Sequence, residues 1–186
     1  MAATLTNEIP LGFTAPSFEL PDAVTGNVLS SKSLFGGGPT IVVFMCNHCP
    51  FVIHILDEFV SMAREYQSRG VNVVAISSND VVQYPQDDVP LMRALAERRG
   101  FTFPYLYDET QDVARAFNAA CTPDFSVFDS EQKCVYRGQM DGSRPGNAIE
   151  VSGNDMRRVL DLILAGQSVP SEAQIPSLGC SIKWKN

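Results

Sequence analysis

The feature that most constrains this chain is an apolar pentapeptide that runs straight into a cysteine pair. Ile41-Val42-Val43-Phe44-Met45 is followed by Cys46-Asn47-His48-Cys49-Pro50. A continuous apolar run of this length suits a strand buried on both faces of a parallel sheet. Gly36-Gly37-Gly38-Pro39 breaks the chain just before it. After the cysteines the spacing becomes helical, with Val52, Ile55, Leu56, Phe59, Ala63 and Tyr66 on one face and Gly70 as a stop. Val71-Asn72-Val73-Val74-Ala75-Ile76 reads as a second buried strand. Strand, helix and strand in this order form a βαβ unit with parallel strands and a right-handed crossover.

Downstream, the pattern predicts a helix from Pro90 to Arg99, a short strand near Pro104–Tyr107, and a helix over Thr110–Asn118 capped by Asp108. Asp124–Asp129 and Lys133–Gln139 read as two strands around the turn Asp129-Ser130-Glu131. Ser152–Ala165 is a closing amphipathic helix. Residues 10–35 are rich in Gly, Pro and Ser, with extended pieces at Phe18–Leu20 and Val28–Ser30 that suggest a hairpin. The tail from Gly166 has no periodicity. The expectation is an α/β chain with a central mixed sheet flanked by helices. It is one domain over 1–186, with a lead-in at 1–35, an inserted helix and strand, and a tail at 166–186 packed on it.

A length of 186 residues suits one hydrophobic core, and 45% hydrophobic with 19% charged residues excludes a disordered chain. No apolar run approaches the roughly 18 residues of a spanning helix. Met1–Pro10 has no Lys or Arg and no apolar segment, so no secretory signal is expected. A net charge of −7 argues against nucleic-acid partners. Five cysteines (Cys46, Cys49, Cys121, Cys134 and Cys180) are too few and too scattered for a disulfide-stapled secreted domain. A reducing, cytoplasmic setting is expected.

The chemistry points to Cys46 and Cys49. Two intervening residues at a helix start bring both sulfurs into one turn, where the roughly half positive charge of the N-terminus favours a thiolate. On this reading Cys46 is the acidified nucleophile and Cys49 the resolving thiol. His48 either tunes the pair through a hydrogen bond or a positive charge, or faces solvent with little effect. A metal site is the competing reading, but zinc normally takes four ligands, and the only histidines are His48 and His54.

The chain resembles thioredoxin-superfamily proteins of the redoxin group, and more narrowly the bacterial peroxiredoxin-like proteins that carry a CxxC (the alkyl hydroperoxide reductase/thiol-specific antioxidant group). The segments that carry the likeness are Ala15-Pro16-Ser17-Phe18-Glu19-Leu20-Pro21-Asp22, Phe44 to Pro50, Thr122-Pro123-Asp124-Phe125 leading to Val127-Phe128-Asp129, and Gly179-Cys180-Ser181-Ile182-Lys183-Trp184-Lys185. The resemblance implies a thioredoxin-like fold with Pro123 as a cis-proline opposite the CxxC, Thr122 presenting backbone groups to a bound partner. An ordinary trans turn proline is the alternative.

The same resemblance implies thiol–disulfide oxidoreductase chemistry without a bound cofactor, on protein or small-molecule disulfides, with a thiol reductant protein as electron donor. A thiol peroxidase with Cys49 as peroxidatic cysteine is the alternative. Against it, the supporting threonine, proline and arginine positions are occupied by Cys46, Val42 and Pro123. The strand before the CxxC also lacks the buried carboxylate by which thioredoxins accept a proton, so proton transfer must use water, His48 or another acid that the sequence does not identify. Cys121 and Cys180 are further candidate redox thiols, Cys180 only if the tail folds back. Cys134 reads as core, and Arg144 as a solvated loop charge.

Overall fold

Strand β4 (Thr40–Phe44) is buried at every residue and lies at the centre of a five-stranded sheet. The computed structural model describes residues 3–185, so Met1, Ala2 and Asn186, at the ends of the expected lead-in and tail, lie outside the described residues. In chain order the strands are β1 (Ala3–Leu5), β2 (Glu19–Pro21), β3 (Val28–Ser30), β4, β5 (Asn72–Ser77), β6 (Tyr105–Tyr107), β7 (Cys121–Thr122), β8 (Asp124–Phe128), β9 (Cys134–Arg137) and β10 (Leu178–Ser181). The helices are α1 (Ser31–Leu34), α2 (Pro50–Gln67), α3 (Val89–Arg99), α4 (Asp112–Ala116) and α5 (Asn154–Leu164). The central sheet runs β6-β5-β4-β8-β9. β4, β5 and β6 are parallel, and β8 and β9 are antiparallel to their neighbours.

Side chains alternate across β4 because a strand has a period of two. Ile41 and Val43 join the cluster formed with Phe59 and Met62 of α2, Leu95 of α3 and Leu160 of α5. Val42 and Phe44 join the opposite cluster with Phe18, Leu20, Phe117 and Phe128. The mixed sheet with helices on it matches the sequence expectation, as does the lead-in hairpin of β2 and β3. No helix among the described residues is long and apolar enough to cross a membrane.

Two departures matter for the site. The helix expected over Thr110–Asn118 contracts to α4. Asp108 still serves it from outside, accepting from Val113 N at 3.4 Å and Ala114 N at 2.9 Å. The tail, which lacks periodicity, carries β10, a strand paired to β1 on one edge and to β7 on the other. Gly179 makes this possible, since a Cβ there would sit 2.0 Å from the Thr122 carbonyl oxygen. A four-residue strand is too short to announce itself by alternation.

The segment that carries β7 is pinned by Arg137. Its guanidinium donates to the carbonyls of Asn7, Phe117 and Asn118 and to Ser126 Oγ, and pairs with Asp124 at 3.4 Å. Both partners are buried, and burial pushes the Asp124 carboxyl up against the pull of Arg137. Truncating one partner of a buried pair leaves the other uncompensated. Arg137→Leu is expected to cost about 3–5 kcal/mol, read from denaturant midpoints at constant slope. A loss below about 1 kcal/mol would show that the pair is not what holds this segment.

Candidate functional site: a buried thiol cluster

Met45 continues β4 through its N–H to the Ile76 carbonyl, after which the chain bends. Cys46 lies in this non-helical stretch, and α2 begins only at Pro50, with Cys49 as its N-cap in extended conformation. The two sulfurs therefore do not share the first helical turn, as the spacing suggested. Only Cys49 sits at the helix mouth, where Pro50 occupies the first position without needing its missing N–H.

The bend is held by a residue that sequence reasoning did not single out. Asp87, fully buried at the end of the 3-10 turn Pro85–Asp87, accepts the backbone N–H of Asn47 at 2.9 Å and of His48 at 3.2 Å on one carboxylate oxygen. Its other oxygen accepts from Asn79 Nδ2 at 2.8 Å and from His48 Nδ1 at 2.6 Å. Since the carboxylate is the acceptor, Nδ1 carries the hydrogen. His48 Nε2 is then a buried acceptor with no hydrogen-bond partner among the described residues. The imidazole stacks on Tyr84 at 5.5 Å and does not face solvent freely. The buried carboxylate beside the thiols thus comes from the loop after β5 and not from β4. Its sequence signal was the cluster of Asn, Asp and Pro in that loop, which named a region and no residue.

Opposite the thiols runs the Thr122–Pro123 segment, whose peptide bond is cis. The Thr122 hydroxyl lies 3.6 Å from Cys46 Sγ, and the Cys49 thiol donates to the Thr122 carbonyl at 3.0 Å. His48 Nδ1 lies 3.9 Å from Cys46 Sγ. Cys180 is placed opposite Thr122 by the β10–β7 register, and its thiol neighbours that of Cys49. The structure therefore brings Cys46, Cys49, His48, Thr122, Pro123 and Cys180 together. Cys121 turns the other way, towards Thr6 Oγ1 at 3.9 Å and the Pro123 carbonyl at 3.5 Å, and burial pushes its thiol up. Cys134 is buried core, pushed up to about 12 by desolvation. Arg144 is not a solvated charge. It donates to the carbonyls of Asp141 and Ser143 and to Gln139 Oε1, and helps line a small cavity against Phe51 and Pro123.

The two thiols of the CxxC titrate as a pair, in opposite directions. Cys49 lies below the ordinary thiol range, because the Cys46 thiol, the Thr122 hydroxyl, the Val52 N–H and the Cys180 thiol all stabilise its anion. Burial opposes this, and so does the Thr122 carbonyl, which favours the protonated form. Cys46 is pushed well up by its bond to Cys49, by burial and by the nearby Asp87 carboxylate. The easily ionised sulfur is thus Cys49, the reverse of the expectation for Cys46. The causes are local: the Cys46–Cys49 hydrogen bond sets the two thiols apart, Cys46 is the more desolvated and has the Asp87 carboxylate nearby, and Cys49 accepts the Val52 N–H of the first helical turn. Neither sulfur is exposed, both residues being at most 1% accessible.

A group whose pKa is depressed on folding stabilises the fold above its unfolded pKa, and that contribution fades as pH falls through the folded value. For Cys49 the reduced protein should therefore gain stability as pH rises from its depressed pKa towards the ordinary thiol value of about 8.5. Ultraviolet thiolate absorbance should reveal one anion per chain well below that pH, lost in Cys49→Ser and retained with a raised midpoint in Cys46→Ala. Loss in Cys46→Ala with retention in Cys49→Ser would reverse the assignment.

Cys46 Sγ, a ring nitrogen of His48 and an Asp87 oxygen lie within 4.8 Å of one another, a three-donor set that a metal ion could use. The set does not extend to Cys49, and Asp87 already accepts from Asn47, His48 and Asn79. A closed zinc site takes four ligands, so the arrangement fits dithiol chemistry better than a structural metal.

Residues 11–137 match the AhpC/TSA family. An uncharacterized conserved protein from Geobacillus kaustophilus is similar over 100% of this chain and 97% of its own, with 52% identity and a TM-score of 0.97. A hypothetical protein, SMc02350 from Sinorhizobium meliloti 1021, shares 42% identity over 98% of both chains, with a TM-score of 0.95. The peroxidoxin BcpB from Mycobacterium tuberculosis shares the fold at 23% identity, with a TM-score of 0.63 over 87% of this chain and 100% of that one. Thioredoxin-like domains share it at 16% to 22% identity. No protein of curated function matches the chain. With more than half its length matched and the fold shared throughout, this chain belongs to the AhpC/TSA family of thioredoxin-like redoxins.

Proposed function

We propose that this protein is a thiol–disulfide oxidoreductase, a single redoxin domain that cycles between a Cys46/Cys49 dithiol and their disulfide. The observation that carries this is the placement of both sulfurs against the Thr122–Pro123 segment, one already favoured as thiolate. In the reductive direction the Cys49 thiolate attacks a substrate disulfide, and the distal substrate sulfur leaves as a thiolate. Cys46 then attacks Cys49, forms the internal disulfide and releases the second substrate thiolate. Two electrons pass from the dithiol to the substrate. A thiol reductant protein returns them, and no bound cofactor is needed.

Cys46 must lose its proton for the second step. His48 Nε2 is an open acceptor, and a proton held there makes an imidazolium braced by Asp87. That positive ring lies 3.9 Å from Cys46 Sγ and favours its thiolate. His48 and Asp87 thus act on the thiol through charge and position.

A peroxidase reading draws on the acidified Cys49, the position that aligns with a peroxidatic cysteine. Its weakness is that the residue three before Cys49 is the thiol of Cys46 and not a peroxide-orienting threonine. Arg144, which lines the small cavity beside Pro123, is engaged by backbone carbonyls. Metal binding is an alternative for the same donors.

Disulfide reduction with a dithiol donor should be abolished by Cys46→Ser and by Cys49→Ser. Peroxide consumption that persists in Cys46→Ser and exceeds disulfide reduction in the wild type would favour the peroxidase. Stoichiometric zinc or copper lost with either cysteine would favour the metal reading. Asp87→Asn is expected to lower kcat at neutral pH by about 10²-fold and to displace the basic limb of the pH–rate profile. An unchanged profile with only a lowered melting temperature would make Asp87 a structural residue alone.

A further inference from the structure

We propose that Cys180 is a second resolving thiol for Cys49, so that the chain forms a Cys49–Cys180 disulfide as well as Cys46–Cys49. The inference rests on the reading of Cys49 as the nucleophile. β10 lies beside β7 with Cys180 directly opposite Thr122, the residue whose carbonyl accepts from Cys49 at 3.0 Å. β10 also packs against α2, the helix that Cys49 caps. Cys180 is buried at 4% accessibility in the same core cluster as Cys46 and Cys49, on the strand face it shares with Thr122. Close approach of the tail is permitted by Gly179, where any Cβ would collide with the Thr122 carbonyl. The tail is anchored at Lys183, whose backbone N–H donates to Asn79 Oδ1 at 2.9 Å while Asn79 Nδ2 donates to Asp87 at 2.8 Å. One amide therefore ties the tail to the carboxylate that shapes the CxxC bend.

The electrostatics supply a sequence of events. In the reduced protein Cys180 is held up at about 11 by burial first, then by its bond to the Cys49 sulfur and the charge there. Once Cys49 is bonded to a substrate sulfur that charge is gone, while Lys183 still favours the Cys180 anion. Cys180 thus becomes easier to ionise when its target forms. It attacks Cys49 Sγ, the bond from Cys49 to the substrate breaks, and the substrate sulfur departs with the electron pair and takes up the proton that Cys180 released. The substrate is reduced by the two electrons lost in forming Cys49–Cys180, and Cys46 stays a free thiol. Cys46 can later attack Cys49 and displace Cys180, an exchange with no net redox change.

The test uses Cys46→Ser, in which Cys180 is the remaining neighbour of Cys49, and dithiobis(nitrobenzoate) as the disulfide. The expected result is release of about two equivalents of thionitrobenzoate per chain, with a Cys49–Cys180 cross-link in non-reducing peptide maps. Cys46→Ser/Cys180→Ser should release about one equivalent and keep a stable adduct on Cys49. In the wild type, oxidised with the same reagent, the maps should contain both disulfides, a measurement that needs no variant to fold. A lasting adduct on Cys49 in Cys46→Ser, with Cys180 unmodified and only Cys46–Cys49 in the wild type, overturns the inference and leaves the proposed function standing. Failure of Cys49 to take the reagent, together with no disulfide reduction by the wild type, overturns both.

Discussion

Everything at the site depends on β4 having neither a free face nor a free edge. Its five residues are buried, two hydrophobic clusters grip alternate side chains, and β5 and β8 take its hydrogen bonds on both sides. A strand so constrained cannot slip by one residue without turning its apolar side chains to the wrong faces. The position at which the chain leaves the sheet is therefore fixed, and with it the location of Cys46. The antiparallel partner β8 enters from the Thr122–Pro123 segment, so the same strand pairing that places the thiols also places what stands opposite them.

The division of labour between the two sulfurs follows from what lies at each end of the bend. A helix N-terminus favours negative charge at Cys49, and Asp87 opposes it at Cys46. The carboxylate earns its place by satisfying two backbone N–H groups that a non-helical turn would otherwise leave bare. In doing so it orients His48 and leaves Nε2 open. One buried acid thus builds the loop, selects the imidazole tautomer and adds to the separation of the thiol acidities that their mutual hydrogen bond and burial create.

Much of this was legible in the sequence, and the parts that were not share a cause. The βαβ unit, the lead-in hairpin and the closing helix follow from periodicities that are properties of contiguous residues. The CxxC and Thr122-Pro123 follow from motifs of adjacent residues. Asp87, the tail strand and the inward turn of Arg144 depend on which distant segments meet. Asp87 lies 39 residues from His48 in sequence, and nothing in its neighbours marks it as different from Asp88, which caps α3 instead. The surroundings favour the anion at Cys49 and not at Cys46, contrary to the expectation, for a narrower reason. Spacing alone could not show that the helix begins after Cys49 and not before it.

The β10–β7 pairing has a consequence for recognition. The extended backbone beside Thr122 is a ready template for an added strand. Here that template is already filled by the chain's own tail, with Cys180 opposite Thr122. An incoming polypeptide must either peel this resident strand away or dock without main-chain pairing.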